Sequence, residues 1–321
     1  MTRLLLRQSP SLSLFVLLFA CNLVAEDADF SGHWVLRLGQ RPLMVATLSR
    51  SAGAAGPFSG SLSRPDHFSS TGTFFSRIKG PVVRYGITQS AVKGECIGFT
   101  AQNPADKNDK DDYLLCPAGA GQGTLGYDNP AIEPWPVTRE KEPAVVASDW
   151  ENRTYFLDDG AASNPEMQRI LDADQKDRTS ENADWNVVVK SDEARRTATR
   201  QLIADNKLHT GQDYEQAAIV FQHGDKPDDY LFAHTLAMIA VARGQAAAMW
   251  IGAATLVRYL QSMHQPQIYG TQFLTPQNQP VTQEPYNRTL ISDAMRLSVA
   301  VPSQAAQEKQ RKMFEAEASQ R

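Results

Sequence analysis

Two successive apolar helices are the clearest prediction from the order of hydrophobic and polar positions along the chain. Both lie within residues 222–272, at about 228–243 and about 245–262. Pro227 suits the first turn of the earlier helix, and Gly244 marks its end. The near absence of a loop after Gly244 predicts an antiparallel pair. Because the earlier helix is apolar on almost every side, we expect protein to enclose it.

A different pattern covers residues 29–139, where apolar and polar residues alternate in short runs. Gly, Pro, Asn and Ser separate these runs, which is typical of seven or eight strands in an all-β sandwich or small barrel. The opening segment from Phe30 to Trp34 (FSGHW) is similar to the first strand of lipocalin-like barrels. Nothing else in this region indicates a ligand-filled interior, so we assign Trp34 to the core.

Helical periodicity dominates the chain after about residue 163, and six or seven helices are expected there. Segments near 290–297 and 303–319 supply the last two. Three earlier starts are predicted from capping patterns: a capping box at Ser163 to Glu166, a cap at Ser191, and a start at Thr210 or Asp213.

The predicted fold class is therefore α+β, with an N-terminal all-β sandwich or small barrel followed by a separate all-α domain of irregular antiparallel helix pairs. The predicted divisions are a signal peptide at 1–25, the all-β domain at 26–140, a linker at 141–162 and the α-helical domain at 163–321. The linker is assigned from its prolines and alternating charges.

The first 25 residues have the pattern of an export signal. Arg3 and Arg7 precede the apolar run 12–20, which is too short to span a bilayer, and Ala25 is the expected cleavage position. Lipid modification of Cys21 is the alternative, and only that would tether the protein to a membrane. We expect a periplasmic or secreted bacterial protein with no transmembrane segment after signal removal.

Composition fits a folded extracytoplasmic protein and argues against a nucleic-acid partner. The chain is 42% hydrophobic and 21% charged, with 32 basic and 36 acidic side chains. Loss of Arg3 and Arg7 with the signal leaves 30 against 36. An acidic chain without a basic stripe is a poor nucleic-acid binder.

Two cysteines remain after the signal, and we predict that they form a disulfide. Cys96 and Cys116 lie in two predicted strands, symmetrically about the middle of the intervening loop, so a hairpin places them nearly opposite each other. Export would permit the bond. The alternative is two small buried thiols.

Standard catalytic and metal-binding patterns are absent from the sequence. There is no HExxH, no GxSxG and no Gly-rich phosphate loop, and the acidic run at 106–112 lacks the glycine and final glutamate of a calcium loop. We expect neither a metal site nor a cofactor.

The helical half contains an unusual set of polar residues. They are Gln222-His223-Gly224, the Arg258-Tyr-Leu that ends the second apolar helix, and the loop Pro266 to Phe273 (PQIYGTQF). This pattern resembles a family of uncharacterised bacterial proteins with a QH(A/G)…(D)R…PQ-x-YGTQ signature, over about 167–314. Where the family has Asp before the arginine, this chain has Val257. The resemblance implies no activity and indicates only which residues meet.

These residues form the predicted binding set, and two interpretations of it stay open. Gly270 permits a tight or left-handed turn, so the side chains around it can project together. In the structural interpretation the polar groups anchor a long irregular loop. In the functional one His223 is a base, and Arg258 with Gln272 holds an anionic or amide-bearing ligand. The set comprises His223, His234, Arg258, Gln267, Tyr269, Thr271 and Gln272, with His223, Arg258 and Gln272 the catalytic candidates.

His234 lies within the first apolar helix, on the side of Leu231, Met238 and Val241. The simpler interpretation is a core histidine whose imidazole has found a partner.

Two functions from different classes follow. The preferred one is a non-catalytic binding protein whose helical domain takes a protein or peptide partner. The alternative is a hydrolase or small-ligand-binding domain with a polar site at the YGTQ loop. Exposure of the candidate residues in a structure discriminates between them.

Overall fold

The structure describes four segments of the chain. The computed structural model describes residues 29–50, 58–180, 184–277 and 279–319. The predicted signal peptide and Cys21 lie outside the described residues.

The N-terminal half is built from eight antiparallel strands that close into a barrel. Each strand pairs with the next, and β8 pairs with β1, so the ring has no free edge. The strands are β1 (Gly32–Leu38), β2 (Arg41–Arg50), β3 (Phe58–Thr71), β4 (Phe74–Lys93), β5 (Cys96–Gln102), β6 (Lys110–Gly119), β7 (Gln122–Tyr127) and β8 (Trp135–Glu140). The α+β prediction is confirmed, and the strands close as a barrel.

Side-chain alternation explains the core of this barrel. Trp34 faces a large cluster that includes Tyr85 and Trp135, all three at most 1% exposed. Its neighbour Val35 faces outward instead and packs with Val45. The interior is therefore filled by hydrophobic side chains.

The disulfide between Cys96 and Cys116 is present, as predicted. It joins β5 to β6 one position beyond the Ile97 and Leu115 pair. The cross-link reinforces a hairpin that is already paired by its backbone.

The C-terminal half of the described chain contains seven helices. They are α1 (Pro165–Thr179), α2 (Trp185–Ala204), α3 (Gly211–Phe221), α4 (Pro227–Ala242), α5 (Ala248–Ser262), α6 (Asp293–Ser298) and α7 (Gln304–Ala318). None of the helices in the described ranges is both long and apolar enough to cross a bilayer.

One predicted cap and one predicted helix start were wrong. The first helix is capped by Asn164 and not Ser163, because the Asn164 side chain accepts from the N–H groups of Glu166 and Met167. The second begins at Trp185, capped by Asp184, so Ser191 lies inside it. The start at Thr210 is confirmed as a reciprocal capping box with Asp213.

The expectation that protein encloses α4 was also wrong. The alanine-rich face around Ala237 is buried, whereas Leu231 is 40% and Met238 is 58% exposed. Small side chains let α4 pack closely against α3 and α5 on one side. Its larger apolar residues remain at the surface.

The connection between the halves contains a short strand, β9 (Tyr155–Phe156), paired with the start of β4. Just beyond it, the Asp158 carboxylate lies 2.9 Å from Arg243 Nη1 and 2.9 Å from His209 Nδ1. The Arg243 guanidinium carbon also lies over the Phe156 ring, 4.2 Å from its centroid. Asp158 thus fixes the segment after the barrel to the helices.

Candidate functional site

The YGTQ loop is held by a network of buried glutamines. Gln267 is fully buried, and its side-chain amide exchanges two hydrogen bonds with the backbone of Gln272, at 3.0 and 3.2 Å. It donates to the Gln283 carbonyl as well. The side chain of Gln267 thereby closes the loop onto itself.

Gln283 and Gln307 complete this network from outside the loop. Gln283 Nε2 donates to the Gly270 carbonyl at 2.7 Å, and Gln307 Nε2 donates to the Tyr269 carbonyl at 2.9 Å. Both side chains are 1% exposed. Every one of these bonds satisfies a backbone group of a segment without regular secondary structure.

Gly270 is required where the loop meets α7. Its φ is +80°, and a Cβ there would lie 2.0 Å from Gln307 Oε1 and 2.6 Å from the Tyr286 hydroxyl. The left-handed conformation predicted as an option for Gly270 is the one adopted.

A buried arginine also holds the same loop through hydrogen bonds. Arg296 is fully buried and donates from Nε to the Tyr286 hydroxyl at 3.0 Å. Its remaining nitrogens donate to carbonyls of Ile268, Arg288 and Ile291. This guanidinium thereby joins the loop at Ile268 to the segment 286–291.

Four of the predicted binding residues therefore lie in or beside this network. Gln267 uses its side chain for the loop, and Tyr269 and Gln272 contribute backbone groups to it. Thr271 differs, because its buried hydroxyl has no hydrogen-bond partner within the described residues.

A second cluster, which we call the donor cluster, consists of Arg178, His223, Arg258 and Gln261. Each has a buried side-chain nitrogen without an acceptor among the described residues: Nε of both arginines and Nε2 of His223 and Gln261. Arg258 and Gln261 are three residues apart on α5 and share a face. Electrostatic interactions link Arg258 and Arg178 to His223. Four buried nitrogens without hydrogen-bond partners among the described residues thus belong to one region of the helical half.

The turn that carries His223 is fixed through its backbone. Arg196 Nη1 donates to the His223 carbonyl at 2.9 Å, and the Tyr230 hydroxyl donates to the Gly224 carbonyl at 2.7 Å. A side chain at Gly224 would collide with Asp229. The imidazole is therefore presented from a rigid turn just after α3.

Buried carboxylates flank the donor cluster on one side. Asp174 of α1 is fully buried, 3.3 Å from Arg178 and 3.6 Å from His223 Nε2. Asp192 of α2 pairs with both Arg178 and Arg195, at 2.8 and 3.0 Å. Burial raises the pKa of Asp174, although Arg178 opposes the shift.

His223 is neutral at pH 7 in this setting. Burial, reinforced by the positive charge of Arg178, lowers the pKa of its imidazole to about 4. A neutral imidazole has one nitrogen that can accept a proton or hydrogen bond. His223 can thus serve either as a donor or as a base.

Arg258 is the most unusual member of the cluster. Burial lowers the pKa of its guanidinium, and it forms no ion pair with any residue in the described ranges. Buried arginines normally have a carboxylate partner. An incoming anion would supply the partner that the described residues do not.

His234 belongs neither to the glutamine network nor to the donor cluster. Its Nδ1 is 2.9 Å from the Gly252 carbonyl oxygen on α5, so the ring holds α4 to α5. The half-buried imidazole has the partner expected of a core histidine.

The predicted binding set falls into two parts: His223 with Arg258, and the YGTQ loop. Within the described residues, no hydrogen bond or ion pair connects His223 or Arg258 with Gln272. The charge of Arg258 contributes to the lowered pKa of His223, whereas Gln272 belongs to the glutamine network.

The partners of both clusters were not among the predicted residues. Asp174 and Arg178 are four residues apart on α1, a spacing typical of a helix ion pair, which could have been noticed. Gln283, Gln307 and Arg296 gave no local signal, since their importance comes from contacts with a distant loop.

Comparisons with known proteins add no identity. No protein-family model matches the chain, and neither a curated protein nor a solved structure is significantly similar to it. In the described ranges, no group of three or more His, Cys, Asp or Glu residues could hold a metal ion.

Proposed function

We propose that the protein is an exported binding protein whose donor cluster holds a carboxylate of a protein or peptide partner. The observation that carries this proposal is the Arg258 guanidinium, which is largely buried and forms no ion pair with a described residue. A carboxylate has two oxygens that accept from a guanidinium in a paired geometry. The neighbouring donors of His223 and Gln261 fit additional acceptors.

The proposal includes the antiparallel arrangement that the sequence predicts for α4 and α5. Tyr230, near the start of α4, interacts electrostatically with Arg258, near the end of α5. An antiparallel pair brings those two ends together. The resemblance to an uncharacterised family stays a prediction, and this site is our interpretation of the residues that it indicated.

Export is supported by the N-terminal sequence pattern and by the disulfide. Structural disulfides persist in oxidising compartments and are rare in the cytosol. The bond between Cys96 and Cys116 fits a periplasmic or secreted location.

Binding to paired peptides tests the proposal. An array of short peptides with free C-terminal carboxylates would be compared with the amidated form of every peptide, using the mature protein. We expect a subset of free acids to bind, and Arg258→Gln to weaken that binding about tenfold or more because a charge-assisted pair is lost. Arg169→Gln, on an exposed α1 arginine, is the matched control. Equal binding of acids and amides, or none, refutes the proposal.

A second candidate function is hydrolysis, and one observation favours it. The neutral His223 has an unpartnered Nε2 only 3.6 Å from the Asp174 carboxylate. With the Nε2–H directed at the carboxylate, Nδ1 is the nitrogen that can take a proton from water. Turnover of a bound peptide that is lost in His223→Gln, with binding retained, would replace the binding proposal by this one.

A further inference from the structure

One end of the barrel has the features of a ligand site that is separate from the donor cluster. It is the end where β3, β5 and β7 finish, and we call it the barrel mouth. A cavity of about 420 Å³ opens there, lined by Arg64, Phe68, Arg77, Lys79, Asp109 and Tyr127 among others. The mouths of up-and-down barrels are places where ligands can bind.

Arg64 forms the floor of this cavity, and its side chain is only 7% exposed. Nη1 donates to the carbonyls of Pro65 and Asp66, and Nη2 lies 3.3 Å from the Asp111 carboxylate. Nε is buried and has no acceptor among the described residues. Arg64 therefore retains unused donor capacity beneath an open cavity.

Three tyrosines surround that guanidinium. The guanidinium carbon of Arg64 lies 4.3 Å from the centroid of the Tyr85 ring, and the Tyr85 hydroxyl donates to Asp109 at 3.2 Å. Tyr113 is 1% exposed, stacks on Tyr127, and its hydroxyl makes no hydrogen bond of normal geometry within the described residues. Burial raises the pKa of Tyr113 and of Tyr127, so both phenols remain protonated donors at neutral pH.

The rim carries two cations that have no ion-pair partner among the described residues. Arg77 and Lys79 are exposed and form no ion pair within the described ranges. The Asp109 carboxylate, in contrast, already accepts from Tyr85 and Asn103. Asp66 also lines the cavity, 3.7 Å from His67 Nδ1, so the mouth holds carboxylates as well as cations. Arg77 and Lys79 are the cations there without an ion pair among the described residues, and they can attract an anion.

The backbone at the rim is also irregular. Arg77 has a φ of +53°, which is uncommon for a residue other than glycine. The pairing of β3 with β4 shifts register on both sides of His67. Bulges and strained residues concentrate at barrel rims and functional sites, where they redirect side chains.

We propose that the barrel mouth binds a small organic carboxylate with an apolar or planar body. The carboxylate lies between the rim cations Arg77 and Lys79 and the donors at the floor. Its body lies against Phe68, which packs with Trp135 over the filled barrel core. Because that core is hydrophobic and filled, the ligand stays at the mouth.

Calorimetric titration with two pairs of probes tests this site. Benzoate and hexanoate would be added to the mature protein, with benzamide and hexanamide as their uncharged matches. We expect the acids to bind and the amides to bind at least about tenfold more weakly. Rising salt should weaken acid binding, because the rim charges are exposed.

Variants localise the binding. Arg77→Gln with Lys79→Gln should weaken acid binding about tenfold, whereas Lys141→Gln with Lys190→Gln, on exposed lysines elsewhere, should leave it unchanged. Arg64→Gln should abolish it in protein that retains its far-UV circular dichroism.

Three results would overturn the assignment: no acid binds, the amides bind equally well, or the rim variant binds as the wild type does. Acid binding lost in Arg258→Gln and kept in the rim variant would assign the ligand to the donor cluster instead. The proposals for the barrel mouth and for the donor cluster can therefore be refuted independently of each other.

Discussion

Single buried amides hold together the longest irregular segment of the helical half. Gln307 alone donates to the Tyr269 and Pro302 carbonyls and accepts from the Tyr286 hydroxyl. Loss of such a side chain leaves several buried groups without partners, which costs more than one hydrogen bond contributes.

We predict that Gln307→Ala lowers the free energy of unfolding by about 2–4 kcal/mol, since buried carbonyls are left unsatisfied. Gln310→Ala, at an exposed site of the same helix, should change it by less than about 0.5 kcal/mol. Urea denaturation measures both. Equal effects at the two positions would remove the structural role assigned to the glutamine network.

His223 makes stability depend on pH in a defined window. Its pKa is about 4 when folded and about 6.5 when unfolded. Above 6.5 both states are neutral and His223 contributes nothing. As pH falls from 6.5 towards 4 the unfolded chain binds the proton more readily, so stability decreases, and the full loss is present below 4.

We expect this loss to be on the order of 3 kcal/mol, and His223→Gln to remove it. Asp174, whose pKa is raised, acts in the opposite sense because its protonation relieves a buried charge. The difference between wild-type and His223→Gln denaturation curves across pH therefore isolates the histidine. Parallel curves would show that His223 is not held neutral by its surroundings.

Local sequence signals explain which residues could be predicted. Gly270 stood out because glycine is the residue that adopts positive φ without strain. Arg258 and His223 stood out as polar residues at the ends of apolar helices. The buried state of Gln307 depends on a loop 38 residues away, and no local pattern contains that information.

At the scale of elements, the β5–β6 hairpin was the most predictable feature. Alternation located both strands, and the symmetry of Cys96 and Cys116 about the loop predicted their bond. The start of α2 was missed because Trp185 and its β-branched neighbours have low helix propensity, which packing and the Asp184 cap override.

We predict that replacing both Cys96 and Cys116 by Ser lowers the free energy of unfolding by about 3 kcal/mol, since the bond closes a loop of 20 residues. Both strands should still pair, so the variant should retain β circular dichroism. Ellman titration of denatured, unreduced wild type checks the premise. Two reactive thiols would contradict it.

At the scale of the whole molecule, the barrel and the helices meet through a few charged side chains. Burial disfavours the Asp158 carboxylate, but hydrogen bonds from Arg243 and His209 outweigh this and hold its pKa below the ordinary value. No local pattern predicts this contact, because its three members are 34 to 85 residues apart.

We expect Asp158→Ala to uncouple the two halves, so that the helices unfold at a lower temperature than the barrel. Glu142→Ala, on an exposed carboxylate of the connecting segment, should keep wild-type behaviour. Thermal unfolding followed separately by far-UV and by aromatic circular dichroism reports this. Unchanged, coincident transitions in Asp158→Ala would mean that other contacts join the halves.

The proposed function depends on Arg258 meeting an anion inside the helical half. NMR of the arginine Nε–H groups, during titration with a peptide selected from the array, tests this most directly. We predict that the Arg258 resonance shifts together with that of the His223 ring, while the Arg64 resonance stays in place. A saturating peptide that leaves the Arg258 resonance unmoved would contradict the account.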